Sequence, residues 1–226
     1  MAAGMVWRGM TGVEIFLVLM GAAAGYGIAQ AAGWVARRQG EAGAVVAPLP
    51  VVAAGAVVAL GAVLLGPLDL PLLCLTALFG LCLLALAVID LKTFILPDGL
   101  NLAVFLLGCG MVAMYRQEVW LWHAGGAVAG YGLLWLVEVA YRKLRGIDGL
   151  GRGDAKLLGA IGMWVGLQGI PPVLLIASLG GIVSVMVGSA LRRQPLSGQT
   201  AIAFGPWIAL GGYAVWLAGP LLSSGF

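Results

Sequence analysis

Long apolar runs separated by short polar breaks dominate the chain. Runs near 12–36, 49–66, 71–89, 99–115, 120–141, 154–167, 171–191 and 204–222 predict helices. The hydrocarbon core of a bilayer takes about 20 apolar residues per helix, and all but the short run at 154–167 approach that length. The runs are continuous, which excludes the ten-residue alternating segments of a transmembrane β-barrel. The pattern therefore predicts an all-α polytopic membrane protein with about eight transmembrane helices. It reads as a single transmembrane domain over 1–226, with no separate soluble domain, no linker and no repeat.

Composition sharpens this picture. Hydrophobic residues make up 62% of the 226 residues, charged residues 9%, and mean hydropathy is +1.07. Soluble domains average about 25% charged residues, so this chain has too few charges to cover a watery surface. The 37 glycines suit close packing of helices in lipid. Cys74, Cys82 and Cys109 lie inside apolar runs without a CxxC pair and read as small core hydrophobes rather than disulfide or zinc ligands. The net charge of +3 is spread over separate loops, so no nucleic-acid partner is expected. The first apolar run lacks a cleavage-type exit and is kept as helix one.

Charge also orients the helices. Ten of the twelve lysines and arginines fall in connections 37–48, 90–98, 142–153 and 192–203 or just beyond, whereas Arg8 and Arg116 fall on the other side. Cytoplasmic loops carry such an excess, which predicts an outside N-terminus and these four connections in the cytoplasm. Tyr115, Trp120 and Trp122 fit an outer aromatic belt.

The nine acids carry the candidate chemistry, because a carboxylate at membrane depth is costly. Glu14, Asp69 and Glu118 read as solvated charges at outer helix ends, and Glu41 and Asp148 as loop charges. Glu138 reads as an i,i+4 partner of Arg142. Asp90 ends the third apolar run and Asp154 opens the sixth, so the topology brings both to one membrane face at similar depth. Two carboxyls at one depth on different helices are the minimum for an aspartyl-protease dyad sharing one proton. The bland alternative is that these acids cap helices or meet loop arginines.

The flanking residues decide between the two. Residues 151–158 read GRGDAKLL, residues 90–98 read DLKTFILPD, and 204–207 read FGPW followed by Ala209, Leu210 and Gly211. The first resembles the G-x-G-D-x-K-L-L form of prepilin peptidases (type IV leader peptidases) within the GxGD intramembrane aspartyl proteases. The second is similar to that family's Asp-then-Leu-Pro-Asp element, and the third to the Phe-Gly-Pro opening of its last helix. The resemblance covers about 72–222. Presenilin-type relatives carry Tyr-Asp at the first acid. Here Ile89 precedes Asp90, and Lys156 follows the GxGD, which favours the prepilin group.

The resemblance implies a site and a substrate. Asp90 and Asp154 are the implied catalytic pair, with Pro97, Asp98, Gly151, Gly153, Lys156, Gly205 and Pro206 supporting the site or the substrate, and no metal or cofactor. Gly151 and Gly153 are expected to allow close backbone approach or strained angles. Helix dipoles assign Asp154, at a helix start, as the base and Asp90, at a helix end, as its protonated partner. The implied partners are membrane lipid and a prepilin or pseudopilin precursor, with a short basic leader before an apolar helix. Asp98, Asp148 and Glu41 are candidate partners of that leader, and the stretch 146–153 a candidate hinge. The implied location is the bacterial inner membrane, with the site facing the cytoplasm. The oligomeric state is left open. Full-length members carry a cytoplasmic domain between helices one and two, often with two CxxC pairs and linked to N-methylation; here that connection is only 37–48 and has no cysteine. A short form without methyltransferase activity is expected. The rival readings are an ion-coupled membrane carrier, whose acids would lie near the midplane, and a scaffold whose acids only cap helices. His123, the one histidine, reads as a satisfied packing residue near the outer end of helix five.

Overall fold

The computed structural model describes residues 12–39, 46–66, 69–145, 151–192 and 203–222. They form seven α-helices: α1 (Gly12–Arg38), α2 (Pro48–Leu65), α3 (Leu70–Thr93), α4 (Asp98–Tyr115), α5 (Trp120–Arg145), α6 (Arg152–Arg192) and α7 (Gly205–Leu222), with one 3-10 turn at Gln117–Val119. Among the described residues there is no strand, and α1 to α6 are long and apolar enough to cross a membrane. Large apolar side chains such as Leu19, Val128, Leu136 and Leu175 face outward, as lipid requires. Of the three cysteines, Cys74 also faces outward, and Cys82 and Cys109 are only half-buried, so the reading of all three as core is corrected.

The helix count differs from expectation at α6. The expected sixth and seventh spans are one 41-residue element, interrupted only at Gly166, with φ 71° and ψ 179°. A straight helix of that length would measure about 60 Å, twice the hydrocarbon thickness. It is not straight. A Cβ at Gly130 would touch both Leu158 O (2.7 Å) and Ile170 Cδ1 (3.1 Å). A Cβ at Gly212 would meet Ile161 Cδ1 (2.7 Å), and one at neighbouring Gly211 would meet Val173 O (2.8 Å). Residues twelve apart in a straight helix are about 18 Å apart and cannot share such neighbours. The chain therefore folds back at Gly166 into two arms, 152–165 (α6a) and 167–192 (α6b). Glycine is needed there because other residues rarely adopt that positive φ.

The first arm packs antiparallel on α5 and parallel to α7. A Cβ at Gly126 would lie 2.6 Å from Gly162 O, so the two backbones nearly touch. On the other side of α6a an aromatic cluster joins four helices. Trp164, 0% exposed, stacks on Phe79 of α3 (4.1 Å, 12°) and meets Trp216 of α7 edge-on (5.2 Å, 85°). Its indole N–H donates to Val104 O of α4 (2.9 Å), and Trp216 donates to Thr76 Oγ1 (3.1 Å). Buried aromatic N–H groups need such acceptors. His123 is also satisfied, with Nδ1 3.0 Å from Met163 O. Because α6a runs parallel to α7 and antiparallel to α5, the first turn of α6a and the first turn of α7 lie at the same end of the bundle. The end of α3 joins them there.

Candidate active site

Three helix termini build the site. The first is the end of α3. Phe94 adopts a left-handed conformation (φ 53°, ψ 26°), the only non-glycine to do so among the described residues, and its N–H donates to Asp90 O (2.9 Å). Such a conformation costs about 1–2 kcal/mol for a residue with a Cβ. It stops the helix one turn after Asp90 and turns the chain toward Pro97. Thr93 Oγ1 reinforces the end by donating to Ile89 O (3.0 Å). Pro97 then caps α4, and its carbonyl accepts from the N–H groups of Leu100 and Asn101.

The second terminus is the start of α6a. Asp154 sits in its first turn, with its N–H donating to Gly151 O (3.0 Å). Of the two expectations for the glycines, strained angles are not seen: Gly166 is the only glycine with a positive φ among the described residues, so Gly151 and Gly153 are not strained. Gly153 does allow a close approach, here of Leu96, since a Cβ there would sit 2.9 Å from Leu96 Cβ. The third terminus is the start of α7. Gly205 N–H donates to Asp90 Oδ2 (3.1 Å), and a Cβ on Gly205 would fall 2.8 Å from that oxygen and 3.3 Å from Leu96 Cδ1. Leu96 thus lies against both glycines. Pro206 follows at a helix position that needs no N–H of its own.

These termini bury both acids at one end of the bundle. Asp90 is 5% exposed and Asp154 8%, and the charge on Asp90 acts on Asp154. Around them lie three ion pairs. Lys156 Nζ meets Asp98 Oδ1 at 2.6 Å, joining the start of α4 to α6a, with both partners largely exposed. Glu138, 3% exposed, pairs with Arg142 as expected and also with Arg152 Nε at 3.2 Å.

The expected residues Asp90, Asp98, Pro97, Gly151, Gly153, Asp154, Lys156, Gly205 and Pro206 all fall at or beside these three termini. Glu41, Asp148, the stretch 146–150 and Arg8 lie outside the described residues. Asp69 does more than the solvated charge expected: it caps α3 through Leu72 N–H (3.3 Å) and accepts from Tyr115 OH (2.6 Å). Sequence reading missed Leu96, the Glu138–Arg152 pair and the pairing of Asp98 with Lys156. Opposite charges in two separate motifs were the one available signal, and only for the last.

Comparisons with known proteins fit this geometry. The model of the type IV leader peptidase family matches residues 77–186. The prepilin leader peptidase/N-methyltransferase of Escherichia coli (strain K12) is 46% identical over 140 residues, 60% of this chain and 61% of that protein. The protein of the same name from Burkholderia pseudomallei (strain 1026b) is 40% identical over 174 residues, 74% of this chain and 53% of that protein. That of Pectobacterium carotovorum subsp. carotovorum is 40% identical over 135 residues, covering 58% and 46%. The chain thus spans about half to three fifths of the length of these relatives. No solved structure matches significantly. The matched segment holds Asp90, Asp98, Asp154 and Lys156, so residues 77–186 form a domain of the type IV leader peptidase kind.

Proposed function

We propose that the chain is an aspartic endopeptidase that removes the basic leader from prepilin or pseudopilin precursors at the cytoplasmic membrane face. The observation that carries this reading is the burial of Asp90 and Asp154 where three helix ends meet, near enough for the charge of one to act on the other. Water held between them attacks the scissile carbonyl carbon as one carboxylate takes its proton. The other carboxyl, carrying the shared proton, donates to the carbonyl oxygen. The tetrahedral gem-diol collapses as the proton taken from water passes to the leaving nitrogen and a diol hydroxyl returns its proton to the other carboxylate; the C–N bond breaks, and the pair again holds one proton. Gly205 N–H donates to Asp90 Oδ2, which holds the Asp90 carboxyl in one orientation.

The names of the relatives support the substrate class. The excess of ten basic residues against two supports a cytoplasmic site and an outside N-terminus. The short cysteine-free connection between α1 and α2 supports a peptidase without methyltransferase activity. A carrier would place the acids along a path at mid-depth, whereas both acids sit at helix ends.

The test is cleavage of a prepilin-type peptide by purified protein in detergent, read by mass spectrometry, beside Asp90→Asn and Asp154→Asn variants checked for folding. Cleavage by the unaltered chain alone is expected. Cleavage that survives either substitution refutes the dyad.

A further inference from the structure

A groove of about 420 Å³ runs between α4, α5 and α6a, starting at the Asp98–Lys156 pair. Its mouth is at the end of the bundle that holds the dyad, since Lys156 lies two residues past Asp154. Inward from that pair its walls turn apolar: Leu102 and Phe105 from α4, Ala127 and Tyr131 from α5, Gly159 from α6a. Over its length α4 advances from Asp98 to Phe105, a rise of about 10 Å. Leu102 is exposed on the outer surface, so the groove opens sideways toward lipid.

Asn101 also lines this groove. It is 4% exposed, yet its Oδ1 and Nδ2 have no hydrogen-bond partner among the described residues. A buried carboxamide without partners costs free energy, the more so at membrane depth. It therefore points to an occupant that supplies one donor and one acceptor close together.

We propose that this groove receives the precursor at the junction between its leader and its apolar helix, and that Asn101 pairs with the substrate backbone there. The inference rests on the peptidase reading above. A peptide group offers the required C=O and N–H, and the first turn of a helix leaves N–H groups free. The strand before that turn leaves carbonyls free. An acyl chain offers neither group. The polarity of the groove also matches the junction: a charged mouth for the leader side, apolar walls for the helix, and a lateral opening through which a membrane-borne helix arrives. Asn101 and the walls bind and position; they do not touch the reacting proton.

The test uses the full chain in detergent with a peptide carrying a leader and the start of its apolar helix. Asn101→Leu keeps the branched shape of the side chain and removes the partnerless atoms. Leu102→Trp fills the groove from its exposed side without disturbing the core. Each is expected to raise KM about tenfold while kcat stays within about twofold, as loss of a binding contact alone would do. Asn101→Leu is also expected to hold or raise Tm, because it removes an unmet polar burial. An unchanged KM in either variant, with the unaltered chain active, overturns the groove and leaves the peptidase reading standing; a lipid chain or water then fills it. A lowered Tm for Asn101→Leu overturns it too, since Asn101 is then held by the protein itself. If the unaltered chain cuts no such peptide, the peptidase reading falls and the groove assignment with it.

Discussion

The α1–α2 pair and the bundle from α3 to α7 solve the same packing problem differently. The buried positions of α1 are Gly21, Gly25, Ala29, Ala32, Gly33 and Ala36, and those of α2 are Val51, Gly55, Ala59 and Ala62. Small residues there let the backbones close on each other: a Cβ at Gly21 would lie 2.6 Å from Gly55 O. The bundle instead buries Phe79, Leu83, Leu86, Met111 and Trp164 together with Asp90 and Asp154. Large side chains space α3, α4, α6a and α7, and aromatic hydrogen bonds fix their register, whereas α5 meets α6a at Gly126 and Gly162 as closely as α1 meets α2. The family match, 77–186, falls wholly within the bundle. The α1–α2 pair is held by backbone contact throughout, and the bundle only in part.

Substitutions can break or sharpen this contrast. The largest effect is expected at the dyad: Asp154→Asn should lower kcat by roughly 10³-fold or more with Tm little changed, because a lost shared proton removes both acid and base. Single-turnover cleavage measures it. Next is Gly205→Ala, which forces Asp90 or the start of α7 to move. A 1 Å misplacement at a reacting group costs about 10²-fold, and kcat should fall on that order while peptide binding to the variant persists. Third is Glu138→Gln, which weakens the hold on Arg152 two residues before Asp154. It should lower kcat about three- to tenfold at unchanged KM, and Glu138→Asp should restore part of it. The smallest effect on activity is expected from Gly21→Val. It should loosen α1 from α2 and speed proteolysis between them, yet keep kcat within about twofold. A large loss of kcat there would show that the two regions are not separable.

The apolar runs alone determined the all-α membrane class, because an interior of lipid leaves only long continuous hydrophobicity as a stable pattern. Three motifs in order, 90–98, 151–158 and 204–207, determined which residues meet, since each carries polar or glycine positions that an apolar helix does not need. Three features were decided only by the tertiary structure. The reversal at Gly166 was hidden because its glycine looks like the other small residues packed between helices. The contact of Leu96 with Gly153 and Gly205 was hidden because an apolar residue in an apolar chain carries no signal. The stranded carboxamide of Asn101 was hidden because the sequence records a polar residue, and only packing decides whether that residue finds a partner.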